Sequence, residues 1–277
     1  MYGIKSFEIK KFKPKGIEET PDLVVIEEPL EIRLGFGEEQ NRQQKSISVT
    51  MRTPTGHDFE LALGFLFTES IISNFDDIHS INYCTDTGKQ TEQNIVRVEL
   101  KSHIRIDFQS LERHFYSTSS CGICGKASIE AIEQKCPVLP KTEFKVSAEF
   151  IKTLPKILAI NQVFFQYTGG LHAAMIIYDA GRVVLREDIG RHNALDKVIG
   201  AALQQNLLPL SDAVLIMSSR ASFELIQKSA MAGISLMACI GSPSSLAIET
   251  AQTLGITLIG FLREDSFNVY SHTDRIF

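Results

Sequence analysis

No apolar run in these 277 residues approaches the roughly 20 needed to cross a bilayer as a helix, and no apolar signal region opens the N-terminus. Both absences predict a cytoplasmic protein with no membrane partner. Positive charge is not in excess either. Lys and Arg number 28 against 33 Asp and Glu, a net charge of −5, which argues against general binding to nucleic acid. Cysteines are few, and five is an odd number with no paired framework, as expected in a reducing compartment. There is no internal repeat, no low-complexity segment, no Walker phosphate loop and no Gly-x-Gly-x-x-Gly. His-x-Glu and Pro-Cys-x-x-Cys are also absent, which excludes a zinc deaminase site. Tryptophan is missing too, and that excludes nothing. The remainder, 44% hydrophobic and 22% charged, is ordinary for a soluble globular protein long enough for two domains or one large one.

What is present centres on Ser117-Thr118-Ser119-Ser120-Cys121-Gly122-Ile123-Cys124-Gly125-Lys126. No hydrophobic period runs through it, so it reads as a loop, and its glycines leave two thiols uncrowded. Half a zinc site is one reading. It is short of ligands, because Cys84, Cys136 and Cys239 form no second Cys-x-x-Cys and His114 completes no spacing. A thioredoxin-like redox pair is the second reading, weakened by the serine-rich approach. The third is a nucleophilic thiol that carries a group, such as sulfur in a persulfide. Free cysteine has a pKa of about 8.5, and Arg113, Lys126 and a helix start after Gly125 would favour the thiolate. The residues alone leave the second and third readings open.

Along the chain, Ile4, Phe7 and Ile9 predict one edge strand, followed by a connector to residue 20. Strands are expected over 23–26 and 30–34, with a polar turn region over 35–45. Ile47, Val49 and Met51 alternate with Ser46, Ser48 and Thr50 as in a half-buried strand. Asp58 is placed as the N-cap of a helix bearing Leu61, Ala62, Phe65 and Leu66, with His57 as a helix-start residue. Strands over 78–84, 95–100 and 104–108 complete an α+β unit, with a turn over 85–92. A short helix is expected over 127–133 and an extended linker over 136–140. Ser147 caps a helix over 148–160 that Pro155 should kink or end. Strands follow at 163–167 and 173–178, the second hairpinned to 182–185. The polar run 187–193 leads into a helix carrying Leu195, Val198, Ile199 and Leu203, with Asn193 a possible cap. A β-α-β-α-β series over 213–261 then implies parallel pairing. The division is an α+β domain over 1–115, the cysteine loop and linker over 116–140, and a three-layer α/β domain over 141–277.

In such a sheet, ligands bind beyond the carboxyl ends of the strands. Three loops fall there, 218–222, 241–245 and 261–266, and two of them open helices. Helix N-termini favour anions, and Ser219, Arg220 and Arg263 add donors and charge, so a phosphorylated ligand is expected. Arg191 and His192 are placed at the same cleft, and His172 follows Gly169-Gly170 at a strand boundary.

The Ser-Ser-Cys-Gly-Ile-Cys-Gly run resembles the cysteine loop of the formate dehydrogenase accessory sulfurtransferases, the FdhD family. The resemblance continues in Thr168-Gly169-Gly170-Leu171-His172, in Glu187-Asp188-Ile189-Gly190-Arg191-His192-Asn193 and in Ser218-Ser219-Arg220-Ala221-Ser222-Phe223-Glu224. It implies a sulfurtransferase that takes sulfur from a cysteine desulfurase onto Cys121, assisted by Cys124. The sulfur would pass to the molybdenum bis(molybdopterin guanine dinucleotide) cofactor of formate dehydrogenase, which is bound as substrate. It further implies a cytidine deaminase-like fold for the second domain, a homodimer, and guanine dinucleotide contacts at Phe261, Leu262, Arg263, Glu264, Asp265 and Ser266. The alternatives are a non-catalytic chaperone for that cofactor, or a zinc or redox module built on Cys-x-x-Cys.

Overall fold

Consecutive apolar residues put side chains on both faces of the second half's strands, and both faces are covered. The computed structural model describes residues 3–84, 93–106, 136–140 and 142–277. Its largest sheet is six-stranded, from β7 (His172–Tyr178), β8 (Arg182–Asp188), β9 (Val214–Met217), β10 (Leu236–Cys239), β11 (Thr257–Gly260) and β12 (Asn268–Ser271), in the order β12-β11-β10-β9-β7-β8. β9, β10 and β11 are parallel, as expected from the alternating strands and helices. β7 runs antiparallel to β8 and β9, and β12 antiparallel to β11.

Ala174, Ile176, Leu215, Met217, Met237 and Leu258 face a core built with α4 (Arg191–Gln204), α5 (Phe223–Met231) and α6 (Ser245–Leu254). The alternate residues Ala173, Met175, Ile216, Ala238 and Ile259 meet α2 (Ala148–Asn161) on the other face. This gives three layers. Ser147 caps α2 by accepting from Phe150 N at 3.2 Å, and the helix runs through Pro155 to Asn161 rather than ending there.

The first half holds β3 (Glu28–Phe36), β4 (Gln43–Arg52), β5 (Ile78–Tyr83) and β6 (Ile95–Leu100) in the order β4-β3-β6-β5, with β3 and β6 parallel. α1 (Asp58–Thr68) packs its Leu61, Leu63 and Leu66 over them. On its outer side α1 meets α4 at two glycines. A Cβ on Gly64 would lie 1.8 Å from the Asp196 carbonyl oxygen, and one on Gly200 would lie 1.9 Å from that of Glu60. The two helix backbones are therefore in contact, and only glycine fits at either point.

Several expectations are corrected. Of the connector expected up to residue 20, residues 16–20 belong instead to a second strand, and 14 and 15 form the turn before it. β1 (Ile4–Lys13) and β2 (Gly16–Val25) form a ten-rung hairpin. The strand expected at 163–167 is a helix, α3 (Val163–Thr168). Glu187 lies far ahead in sequence, yet its carboxylate accepts from Phe164 N and Phe165 N at 2.9 and 2.8 Å and seats the helix start, while Gly169 ends it at φ 63°. Asp58 is the first helical residue and His57 the cap, because the Asp58 carboxylate turns to Arg52 at 3.1 Å. Of the strand expected over 104–108, residues 104–106 are not strand, and 107–108 lie outside the described residues. In β4 the alternation breaks: Ile47 is buried, but Val49 is 66% and Met51 46% exposed. A register shift opposite Ile32 and Arg33 inserts one extra β4 residue and re-aims those that follow. β12 was not expected. The turn over 85–92 and the helix over 127–133 lie outside the described residues.

Candidate functional site

The three loops beyond β9, β10 and β11 are stitched into one rim. Gly241 N donates to Ser219 O (3.1 Å), Ala221 N to Ser242 O (3.2 Å), Ser244 N to Ala221 O (3.1 Å) and Phe261 N to Gly241 O (3.0 Å). Gly241 is needed there, since a Cβ would lie 3.0 Å from the Arg220 backbone. The sheet edge thus brings together Ser219, Arg220 and the segment 261–266, as expected.

Not every side chain there is free for a ligand. Ser244 caps α6 by accepting from Ala247 N at 3.2 Å. Leu262 is fully buried and anchors its loop in the core. Arg263 Nη1 donates to the carbonyls of Ile240 and Leu262, both at 2.7 Å. The Ser219 hydroxyl donates to the Arg220 carbonyl (3.1 Å), and that of Ser266 to Asp265 (2.9 Å). Arg220, Phe261, Glu264 and Asp265 point outward and are exposed.

The starts of α4 and α5 are different. Gly190 and Ser222 precede them, and neither gives a side-chain cap. The helices converge through His192, whose Nε2 lies 2.8 Å from Glu224 Oε2 and 3.4 Å from the Ser222 hydroxyl. The bond from His192 holds the Glu224 carboxyl below its ordinary range, against burial. Arg191 Nε is buried with no partner among the described residues. Two helix starts without side-chain caps and the Arg191 guanidinium meet at this corner, beside the Glu224 carboxylate.

Beneath the corner lies Asp188, fully buried. Its carboxylate accepts from Lys197 Nζ (2.6 Å), Gly190 N (2.9 Å) and Asn193 Nδ2 (3.0 Å). Asn193 therefore does not cap α4. Its amide also donates to Met51 O at 2.8 Å and its oxygen accepts from Thr50, tying α4 to β4.

Two cavities flank the corner. One, of 350 Å³, lies between β4, α1, α4 and α5, with Val49, Met51, Phe65, His192, Phe223 and Glu224 in its wall. The other, of 580 Å³, is lined by Gln162, Gly169, Gly170, His172, Ser218 and Ile240. Ser218 Oγ accepts from Ala173 N (2.8 Å) and so fixes the end of β9 to the start of β7. The first cavity was not legible in the sequence. Only the exposed Val49 and Met51 signal it, and a bulge put them there.

Burial, then the charges of Arg191 and His192, hold the His172 imidazole below its ordinary value of about 6.5, with Asp188 opposing. Folded His172 resists a proton that the unfolded chain accepts. Stability should therefore fall as pH drops through about 6.5. Urea midpoints compared at about pH 7.5 and about pH 6 should differ less in His172→Asn than in the parent; equal differences would mean His172 does not contribute.

Cys121 and Cys124 lie outside the described residues. Cys136 is buried in the core, and Cys239 is fully buried with its thiol pushed far up, so neither is poised as a nucleophile. Among the described residues no group of three or more His, Cys, Asp or Glu is placed to hold a metal. No described helix is long and apolar enough to cross a membrane.

A sequence profile described as the FdhD/NarQ family matches residues 25–277. The chain is 48% identical over 260 residues to a sulfur carrier protein FdhD of Mycolicibacterium paratuberculosis, covering 92% of each chain. It is 39% identical over 274 residues to one of Sulfolobus acidocaldarius, covering 99% of this chain and 98% of the other. A crystal structure described as a formate dehydrogenase accessory protein of Desulfotalea psychrophila matches with a TM-score of 0.75 at 23% identity, over 99% of this chain and 100% of that one; it shares the fold.

Proposed function

Since this chain belongs to the FdhD/NarQ family, we propose that it is a sulfur carrier that serves formate dehydrogenase by sulfurating its molybdenum bis(molybdopterin guanine dinucleotide) cofactor. The support is the sulfur carrier name borne by relatives over nearly the whole chain, together with Cys121 and Cys124 in one motif. The Cys121 thiolate attacks the terminal sulfur of a cysteine desulfurase's persulfide. One S–S bond forms, one breaks, and the desulfurase thiolate leaves. Cys124 then attacks Cys121 and expels sulfide towards the cofactor. The resulting disulfide is reopened by a dithiol reductant, which supplies the two electrons.

The observation that carries ligand binding is the uncapped convergence of α4 and α5 beside Arg191. Backbone N–H groups and guanidinium there suit the phosphates of a guanine nucleotide, with Arg220 and the 261–266 rim beside them. We read residues 141–277 as a cytidine deaminase-like scaffold put to this use, residues 1–115 as the first domain and 116–140 as the connector. The setting would be the cytoplasm and the assembly a homodimer.

After incubation with a desulfurase and cysteine, mass spectrometry without reductant is expected to find one added sulfur on Cys121. Cys121→Ala protein that still activates formate dehydrogenase would leave cofactor chaperoning as the better reading, and stoichiometric zinc lost with either cysteine would favour a zinc module. Titrated by calorimetry, GDP should bind more tightly than AMP. Arg191→Ala and Arg220→Ala should each weaken GDP by about 1.5–3 kcal/mol while Cys121 still takes up sulfur; unchanged affinity in both would move the phosphate site elsewhere.

A further inference from the structure

The 350 Å³ cavity between β4, α1, α4 and α5 falls within the size range of ligand pockets, about 300–1,000 Å³. Ile32, Val49, Met51, Leu61, Phe65 and Phe223 give it apolar sides. Val49 and Met51 stand exposed there, and aliphatic and aromatic walls of this kind suit a flat ring.

Its polar groups are unequally committed. Asp196 and Lys228 satisfy each other. Both Asp196 oxygens accept from Lys228 Nζ at 3.0 Å, and the Thr68 hydroxyl accepts from Lys228 at 2.8 Å and donates to Asp196 at 3.0 Å. Glu69 spends one oxygen on Lys228 at 3.5 Å, and Glu224 spends one on His192 at 2.8 Å. Among the described residues the second oxygen of each carboxylate and the Gln227 side-chain amide have no hydrogen-bond partner. With the deep pair neutralising itself, the wall offers surplus negative charge and surplus acceptors. It repels phosphate and suits a ring with several N–H donors along one edge.

The neighbouring corner offers the opposite, helix starts without side-chain caps beside Arg191. Gly190, His192 and Glu224 belong to both places. A ligand with a donor-edged ring at one end and a phosphate next to it matches the two together.

We propose that this cavity takes a 2-amino-4-oxopyrimidine edge, its ring N–H and amino group donating to Glu69, Glu224 and the Gln227 carbonyl, and that the ring is the pterin of the dinucleotide cofactor. Guanine carries the same edge, and the cofactor has one such ring on each side of its pyrophosphate. The 261–266 rim, which joins the corner through Ser222, is left to the guanine end. This rests on the cofactor-carrier reading above and names the place of the half that the rim does not hold.

Fluorescence titration of the full chain with 6-hydroxymethylpterin tests it, beside 6-hydroxymethyllumazine, in which an oxo group replaces the 2-amino donor. The pterin is expected to bind at least about tenfold more tightly, since the lumazine sets an acceptor against the carboxylates. Glu69→Ala should weaken the pterin about tenfold and narrow that preference, with folding kept because Lys228 retains Asp196 and Thr68. Val49→Trp, at an exposed site in the cavity wall, should abolish pterin binding. Both variants should keep the parent's affinity for GDP. A parent that binds GDP but not the pterin overturns this inference alone, whereas one that binds neither overturns the carrier reading with it. No preference over the lumazine, or pterin affinity unchanged in both variants, would also overturn it. GDP weakened as much as the pterin, or in its place, would give the cavity to guanine instead.

Discussion

Gly200→Ala is expected to unfold the protein or to remove about 4 kcal/mol or more of its stability, beyond most single substitutions. An alanine inside a helix ordinarily adds about 1 kcal/mol relative to glycine, so the sign itself is informative. At Gly200 the added methyl would sit 1.9 Å from the Glu60 carbonyl oxygen, and the reciprocal methyl at Gly64 would sit 1.8 Å from that of Asp196. Both obstacles are helix backbone, which has no rotamer to change. The helices must separate, and the packing on both sides of them loosens. Urea unfolding measures the loss, and Gly64→Ala should match it. Parent-like stability in both variants would show that α1 and α4 do not meet at these residues.

The second large effect is expected from Asp188→Ala, a loss of about 3–5 kcal/mol. Asp188 and Lys197 are both fully buried and 2.6 Å apart. Without the carboxylate, the ammonium keeps only Thr53 O, Thr55 Oγ1 and Glu187 O, at 3.2–3.4 Å, none of them charged. Gly190 N and the Asn193 amide lose an acceptor as well. Adding Lys197→Met should recover most of the loss, because a buried pair replaced whole leaves no uncompensated charge. A double-mutant cycle by urea unfolding decides it. A single-variant loss below about 1 kcal/mol, or no recovery in the double, would contradict a coupled buried pair.

What the sequence made legible had short-range causes. The β9–α5–β10–α6–β11 series could be read because each element carries its own period and each turn its own serines or glycine. The convergence of Ser219, Arg220 and 261–266 followed from the parallel connection alone. The misreadings have distant causes. Val163-Phe164-Phe165-Gln166-Tyr167 has strand-like composition, and the carboxylate that makes it helical is Glu187. Met51 is re-aimed by a bulge and held by Asn193, 142 residues later. The polar run 187–193 is visible as polar, but nothing local says that Asp188 turns inward onto Lys197 while Arg191 Nε is buried with no partner among the described residues. Likewise the serines and arginines of the rim looked alike in sequence, whereas Ser244 and Arg263 are spent on backbone and Arg220 is not.

The contact of Gly64 with Gly200 also sets a schedule for synthesis. The two residues are 136 apart (200 − 64), so at roughly 5–20 residues per second α1 leaves the ribosome on the order of ten seconds before the helix that covers it. In that interval the first sheet can pair its strands, yet the groove at Gly64 and the neighbouring Phe67, which packs towards the later core, has nothing to close it. The nascent chain thus presents an apolar notch at the stage when holding chaperones act. A chain truncated before residue 191 would keep that notch permanently, so the first half is expected to be a poor candidate for expression alone.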